Sequence, residues 1–273
     1  MLIDSHTHTG CIDFPVGKNR VSNLPGADLL AAMHNYSIDS ALVSSIEGAE
    51  YNSEGKLAPP DKQVPQMESF KKLVSFVRDS GVDQRGCARL KALLWVKPYT
   101  EKVTATLEQF VKENREYIAG FKMHPSLSRI RLTDKRFIPY LDLAYRLNMP
   151  VQVHTENDGF SDIKYVSETA RIFSDTDFVI VHMGLGTDNT EAIELINQSD
   201  NVYGDTCEVQ HANVLQAINE CGSEKILFGT DAIVHGIDTY ARYLPLIDLI
   251  RRNFGREQAD NVLFRNCQKL FDL

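Results

Sequence analysis

Histidine and aspartate side chains recur at the ends of short apolar segments. His6 and His8 follow an apolar start, and three later apolar runs end at His154, His182 and Asp231. Residues i and i+2 of a strand project to the same side, so His6 and His8 can reach one ion together. Three imidazoles and a carboxylate suit Zn²⁺, Mn²⁺, Co²⁺ or Fe²⁺ better than Ca²⁺ or Mg²⁺. The pattern indicates a divalent metal that would lower the pKa of a bound water toward about 7.

The elements that must position these residues alternate between short apolar segments and longer segments with apolar residues three and four apart. The predicted strands are Leu2–His6, Ser40–Ser45, Leu90–Val96, Ile118–His124, Val151–His154, Phe178–His182, Val202–Asp205 and Ile226–Gly229. The predicted helices are Ala27–Tyr36, Gln66–Asp79, Val103–Arg115, Lys135–Leu147, Asp162–Phe173, Thr190–Asn197, Val209–Cys221 and Thr239–Asn253. This alternation predicts an α/β fold with a parallel sheet, and eight units indicate a (β/α)8 TIM barrel that spans residues 1–273 as a single domain.

An open doubly wound sheet is the alternative architecture. Such a sheet commonly carries GxGxxG or GxxxxGK(S/T) after an early strand, and neither motif is present. The segment Gly184-Leu185-Gly186 comes nearest but lacks the third glycine. Two stretches with little periodicity, Gly10–Pro25 and Glu47–Pro65, are predicted to be long loops.

The barrel prediction brings the chemically active residues to one place. In a (β/α)8 barrel the carboxyl ends of all strands share one face, where active sites are built. His6, His124, His154 and His182 each end a predicted strand, and His8 lies just beyond the first. Five of the eight histidines would therefore meet at one mouth, which packing alone does not explain.

The ordered set of residues resembles the amidohydrolase superfamily: His6-x-His8 after the first strand, Lys122 after the fourth, His154 after the fifth, His182 after the sixth and Asp231 after the eighth. Three segments are similar to its amidohydrolase-2 branch, namely Phe121-Lys122-Met123-His124-Pro125, Val181-His182-Met183-Gly184 and Phe228-Gly229-Thr230-Asp231. That branch includes aminocarboxymuconate-semialdehyde decarboxylase, resorcylate-type decarboxylases, lactonases and other hydrolases. The resemblance covers nearly the whole chain.

The resemblance implies that His6, His8, His154 and Asp231 ligate the metal. It implies that His182 orients or deprotonates the attacking water or polarises the substrate, and that Asp231 doubles as general base. One Zn²⁺ is expected, with Mn²⁺, Co²⁺ or Fe²⁺ as alternatives. Two metals are expected instead if Lys122 is carboxylated and bridges them. Lys122 is otherwise a cation for a substrate carboxylate, or an interior lysine paired with a carboxylate.

Further cavity residues follow from their position beyond the strand ends. His124 lies two residues after Lys122 and is expected to face the same side. Arg129 and Arg131 lie in the segment after the fourth strand, and arginine suits bidentate binding of a substrate carboxylate. Glu156 and His235 lie just beyond two of the expected ligands.

The sequence is compatible with two reactions. The first is hydrolysis of an amide, lactone or ester of a small metabolite, and it is favoured because hydrolysis is the commoner chemistry of the scaffold. The alternative is non-oxidative decarboxylation of a small carboxylated substrate by the same ligands. A TatD-type nuclease or phosphoesterase would carry glutamate where Lys122 stands. A barrel that only binds metal is disfavoured, because an open coordination position at a barrel mouth is typical of catalysis.

Composition limits the partners and the compartment. The net charge of −8 argues against nucleic acid, which needs clustered Lys and Arg, but allows a small anionic substrate. The five cysteines show no disulfide spacing and are expected to be free thiols in a reducing compartment. The N-terminus lacks the features of a signal peptide, and no apolar run reaches a membrane-spanning length. We expect a cytoplasmic protein with a small-molecule substrate and no membrane partner, with a homo-oligomer left open.

Overall fold

A computed structural model of the chain describes residues 1–81 and 89–273. Its sheet has nine strands in the order β2-β1-β3-β4-β5-β6-β7-β8-β9. The strands are β1 (Ile3–Val16), β2 (Val21–Leu24), β3 (Ser40–Ser45), β4 (Leu90–Trp95), β5 (Ile118–Met123), β6 (Val151–Glu156), β7 (Phe178–Leu185), β8 (Val202–Asp205) and β9 (Ile226–Leu227). Every neighbouring pair is parallel except β1 with β2. The predicted parallel sheet is confirmed.

The sheet closes on itself through the segment that follows β9. The backbone NH of Ser5 donates to the carbonyl of Phe228 at 2.8 Å, and the NH of Asp231 donates to the carbonyl of His6 at 2.9 Å. Strand β1 is therefore bonded to β3 on one side and to the end of the chain's last strand on the other. Together, β1 and β3–β9 form the eight-stranded barrel that the alternation predicted, and β2 lies outside it.

Helices follow the barrel strands and cover their outer faces. The α-helices are α1 (Gly26–Asn35), α2 (Gln66–Ser80), α3 (Ala105–Glu113), α4 (Pro125–Ser128), α5 (Ile138–Arg146), α6 (Ile163–Ile172), α7 (Thr190–Gln198), α8 (His211–Cys221), α9 (Leu244–Asn253), α10 (Arg256–Asp260) and α11 (Asn266–Phe271). All eight predicted helices are present, with ends shifted by a few residues. Helices α4, α10 and α11 were not predicted, because elements of four to six residues are too short to show helical periodicity.

Apolar side chains form two buried layers. A small cluster inside the barrel combines residues of the strands with residues of α11: Ile3, Leu42, Leu93, Ala119, Val179, Val181, Leu227, Cys267 and Phe271. A much larger cluster lies between the strands and the surrounding helices. Helix α11 packs against the amino-terminal ends of the strands. The barrel interior is therefore filled at that end and open at the carboxyl ends of the strands.

The predicted loop at Gly10–Pro25 is wrong. Strand β1 continues to Val16, and the chain then turns and pairs antiparallel with β2. Ile12 and Phe14 are buried while Asp13 between them is exposed, so the two-residue alternation of a strand was present in the sequence. The flanking glycines and Pro15 obscured it, because both residue types normally interrupt strands. The resulting hairpin extends beyond the barrel and borders its mouth.

The predicted loop at Glu47–Pro65 is confirmed. Apart from two short 3₁₀ turns, Ile46–Gly48 and Pro60–Lys62, and one bridge between Tyr51 and Leu57, it is irregular.

Two expectations drawn from composition can be compared with the structure. Cys11, Cys207, Cys221 and Cys267 are free thiols, whereas Cys87 lies outside the described residues. Within the described ranges, no helix is long and apolar enough to cross a lipid bilayer.

Candidate active site

The carboxyl ends of the barrel strands open into a cavity of about 560 Å³. Seven of the predicted site residues line it together with Arg129: His6, His8, Lys122, His124, His154, His182 and Asp231. Arg131 is not among the lining residues. Its guanidinium carbon lies 5.0 Å from the centre of the Tyr165 ring instead.

His6, His8 and Asp231 form the tightest group at the bottom of this cavity. The Nε2 atoms of His6 and His8 are 3.1 Å apart, and Oδ1 of Asp231 lies 2.9 Å from Nε2 of His8 and 3.5 Å from Nε2 of His6. One donor atom from each of the three residues falls within 4.8 Å of the others, which is close enough to share one ion. Burial alone would raise the pKa of Asp231, but the hydrogen bond with His8 and the nearby imidazoles hold it well below its usual value.

A partner holds the second ring nitrogen of both histidines. Nδ1 of His6 lies 3.0 Å from Oδ2 of Asp205, and Nδ1 of His8 lies 2.9 Å from Oγ of Ser44. Burial raises the pKa of Asp205 to about 8, although backbone amides and Lys122 oppose the shift. Hydrogen-bonding partners of this kind fix the orientation and tautomer of metal-ligating histidines. Each imidazole thus keeps Nε2 for the centre of the site.

His154 lies beside this group rather than within it. Its Nε2 is 3.3 Å from Oε2 of Glu156, which leaves Nδ1 as the nitrogen available to a ligand. Glu156 also forms an ion pair with Lys18 from the hairpin. Burial opposes ionisation of Glu156, but the bonds with His154 and Lys18 prevail and lower its pKa to about 2. A carboxyl group therefore holds the outer nitrogen of His154, as that of Asp205 holds Nδ1 of His6.

His182 faces the same space with a different partner. Its ring centre lies 5.1 Å from that of His6 and 4.9 Å from that of His154, and its Nδ1 lies 3.3 Å from the carbonyl oxygen of Cys207. Burial lowers the pKa of His182 to about 3, so the ring is neutral near pH 7. Donor atoms of His6, His182 and Cys207 form a second group within 4.8 Å. Strand β7 runs three residues beyond His182, with a left-handed backbone at His182 (φ 68°).

Lys122 is fully buried against His6. Its Nζ lies 3.1 Å from Nε2 of His6 and donates to Oε1 of Gln152 at 2.9 Å. Burial lowers the pKa of Lys122 to about 8, against the attraction of Asp205 and Asp231. No carboxylate of the described residues forms an ion pair with Lys122. The alternative in which Lys122 is an interior lysine paired directly with a carboxylate is therefore wrong.

His124 belongs to a column of stacked rings. Its ring lies 3.8 Å from that of His154 at an interplanar angle of 14°, and 4.8 Å from that of Trp95 at 11°. Its Nδ1 also accepts the backbone NH of Leu127 in α4 at 3.3 Å. Gly48 also lies against Trp95, since a Cβ at Gly48 would lie 2.3 Å from Cγ of the indole, and only glycine fits there. The column therefore holds the ring plane of His154 in place.

Several of these partners were not predicted from the sequence. Asp205 carried a signal similar to that of Asp231, since one predicted strand ends at Asp205 and another ends two residues before Asp231. Ser44 and Lys18 carried no such signal, because their contacts depend on tertiary structure alone. The hairpin that supplies Lys18 was itself predicted to be a loop.

Comparison with known proteins shows the family to which this chain belongs. A model of the amidohydrolase family matches residues 81–273, which is well over half of the chain. The chain belongs to the amidohydrolase family, in its amidohydrolase-2 branch. This amidohydrolase is accordingly an enzyme. His6 and His8 precede the matched range, so their placement rests on the structure. No curated protein matches the sequence.

Solved structures share the fold of this amidohydrolase at low sequence identity. A dihydroxybenzoic acid decarboxylase from a Polaromonas species, with bound manganese and the inhibitor 2-nitroresorcinol, superposes with a TM-score of 0.69 at 14% identity, over 100% of this chain and 97% of its own. A Burkholderia multivorans amidohydrolase with bound zinc gives 0.65 at 14% identity, over 100% and 99%. A Pseudomonas putida protein assigned as a 2-pyrone-4,6-dicarboxylic acid hydrolase gives 0.67 at 13%, over 99% and 97%. These similarities support the TIM-barrel fold.

Proposed function

We propose that this amidohydrolase binds one divalent metal through His6, His8, His154 and Asp231 and hydrolyses an amide, lactone or ester bond of a small molecule. The observation that carries the proposal is the pairing of the imidazoles. One ring nitrogen each of His6, His8 and His154 is bonded to an oxygen of Asp205, Ser44 and Glu156, respectively. The other ring nitrogens of His6 and His8 meet the carboxylate of Asp231 at the bottom of the cavity. We also propose that residues 1–273 act as one domain.

The donor set fits such an ion. Imidazole nitrogens with one carboxylate oxygen are typical ligands of Zn²⁺, Mn²⁺, Co²⁺ and Fe²⁺, and Zn²⁺ is our first choice. Donor atoms of His6, His8 and Asp231 already lie within 4.8 Å of one another. The zinc and manganese in the similar Burkholderia and Polaromonas structures support a divalent metal at this position. The role of His154 as fourth ligand rests on its free Nδ1.

A divalent metal held by these residues would polarise a substrate carbonyl and lower the pKa of water, which is the chemistry that hydrolysis at neutral pH needs. Asp231 is ionised there, because its pKa lies well below the usual value. Its carboxylate can accept the proton that the attacking water loses and donate it to the leaving group. Asp231 is placed for both proton transfers, because it contacts His8 and borders the open cavity.

His182 is suited to orient the water. The contact of its Nδ1 with the carbonyl oxygen of Cys207 requires the proton on Nδ1, because a carbonyl only accepts. Nε2 of His182 is then an acceptor that can bind a water hydrogen. With a pKa of about 3, this nitrogen holds the water in place rather than removing its proton.

Lys122 is assigned here as an unmodified lysine, which limits the site to one metal. Its Nζ donates to Gln152, whose own amide donates to the backbone carbonyl of Ser5 at 2.7 Å. This chain of hydrogen bonds ties the lysine to β1 beside His6. A carboxylated Lys122 that bridges two metals is the competing state.

Decarboxylation is the second candidate function. It is supported by the Polaromonas decarboxylase, which superposes on the chain over its full length. The same donor set would then position a carboxylated substrate, and a proton would be delivered to carbon.

An assay of both products separates the two reactions. Enzyme loaded with Zn²⁺ or Mn²⁺ is incubated with a panel of lactones and esters and with carboxylated aromatics, and acid release and CO₂ release are measured in parallel. We expect acid release without CO₂, and none in chelator-treated enzyme, because the reaction needs the metal. CO₂ release without any hydrolysis would overturn the hydrolase assignment in favour of the decarboxylase.

A further inference from the structure

Most charged groups that line the cavity are already paired. Glu156 bonds Lys18, Glu208 lies 3.2 Å from both His235 and Arg242, and Asp231 bonds His8. A fourth carboxylate of the lining, that of Asp158, accepts the backbone NH groups of Phe160 and Ser161 through Oδ1. Each acidic side chain of the lining therefore has at least one partner in the protein, although Oδ2 of Asp158 is buried without one.

Arg129 is the exception among the cations. Lysine and arginine contribute three side chains to the described lining, namely Lys18, Lys122 and Arg129. Lys18 is paired with Glu156, and Lys122 is buried beside His6. The guanidinium of Arg129 forms no ion pair with any carboxylate in residues 1–81 and 89–273. It is thus an exposed cation at the cavity wall with its charge uncompensated.

The guanidinium of Arg129 has two close neighbours at the cavity wall. Its central carbon lies 5.0 Å from the centre of the Phe160 ring, in cation–π contact. From the opposite loop, Gly55 approaches so closely that a Cβ there would lie 2.8 Å from a terminal nitrogen of Arg129. The backbone at Arg129 is left-handed (φ 53°), where α4 ends and the chain turns. The guanidinium therefore lies over an aromatic ring and close to the backbone of Gly55.

We propose that Arg129 binds a carboxylate that the substrate carries away from the bond that reacts, so that this enzyme acts on small carboxylic acids. A guanidinium offers two parallel N–H donors that match the two oxygens of a carboxylate, and an unpaired one at a cavity wall is free to do so. The inference rests on the proposed function, since it presumes that the cavity is where the substrate reacts.

Binding of matched acids and amides to the metal-loaded enzyme tests the inference. The probes are succinate, glutarate and isophthalate, each compared with its uncharged diamide by isothermal titration calorimetry. We expect at least one dicarboxylate to bind about 10-fold or more tightly than its diamide, and Arg129→Met to remove that preference while the diamide is unaffected. Arg129→Lys should restore part of the preference, because it keeps the charge but loses the planar donor pair.

Arg131→Met is the matched control. Arg131 lies two residues away and also stacks on an aromatic ring at 5.0 Å, but it does not line the cavity. Its substitution should change neither affinity by more than about twofold. The inference is overturned if no dicarboxylate is preferred over its diamide, or if Arg129→Met and Arg131→Met behave alike. Metal content is measured on the same samples. Wild-type enzyme that fails to bind metal contradicts the proposed function. A metal-loaded enzyme that binds dicarboxylates no more tightly than their diamides contradicts only the role of Arg129.

Discussion

Asp231→Asn is expected to lower turnover by a factor of about 10³ or more while the barrel stays folded. The carboxylate contacts His8 at 2.9 Å and His6 at 3.5 Å, and it is the only anionic member of the proposed ligand set. An amide keeps the shape of the side chain but removes the negative charge and the capacity to take up a proton. The measurement is the turnover number with a substrate found in the product assay, together with circular dichroism and metal content.

Glu208→Gln is the matched control for this acid-to-amide change. Glu208 lines the same cavity, but its ion pairs are with His235 and Arg242 at the mouth. Its substitution should leave the turnover number within a few-fold of the wild type. If Asp231→Asn retained a similar share of the activity, Asp231 would be neither general base nor essential ligand.

Asp205→Asn is expected to weaken metal binding by about 10- to 100-fold, because it removes the group that orients His6. Oδ2 of Asp205 accepts from Nδ1 of His6, while Oδ1 accepts the backbone NH of His182 at 2.8 Å and that of Cys207 at 3.2 Å. An asparagine keeps one oxygen for the backbone, but its NH₂ group cannot accept from His6. Metal affinity is measured by competition with a chromogenic chelator.

Asp4→Asn is the comparison for Asp205→Asn. Asp4 is also fully buried and accepts backbone NH groups, here those of His6 and Thr230, but it does not bond an imidazole ring. Burial raises the pKa of Asp4 to about 7. Its substitution should change metal affinity by no more than a few-fold. Equal losses of affinity in the two variants would mean that burial of a carboxylate, rather than its bond to His6, supports the site.

The barrel and the convergence of its central residues were predictable from the sequence, because both follow from local patterns. Apolar strands that alternate with amphipathic helices require a parallel sheet, and the carboxyl ends of its strands share one face. His6, His8 and Asp231 were therefore expected to meet, and they do. The prediction needed only the position of each residue along its own strand.

The partners of these residues were not predictable in the same way. Asp205 bonds His6 across 199 residues of sequence, and no local pattern encodes that pair. Arg129 and Arg131 are two residues apart in an irregular segment, where side-chain direction has no fixed period. One lines the cavity while the other contacts Tyr165. The hairpin that carries Lys18 was not predicted, because Pro15 and the neighbouring glycines are typical of loops and the alternation of apolar and polar residues before them is short.

Anomalous diffraction at the zinc edge from crystals of the zinc-loaded enzyme tests the account most directly. We predict one peak, at about 2.0–2.2 Å from Nε2 of His6, Nε2 of His8, Nδ1 of His154 and a carboxylate oxygen of Asp231, with Lys122 unmodified. Two peaks bridged by a carboxylated Lys122 would contradict the single-metal site. A peak held by His6, His182 and Cys207, away from His154 and Asp231, would contradict the proposed ligand set itself.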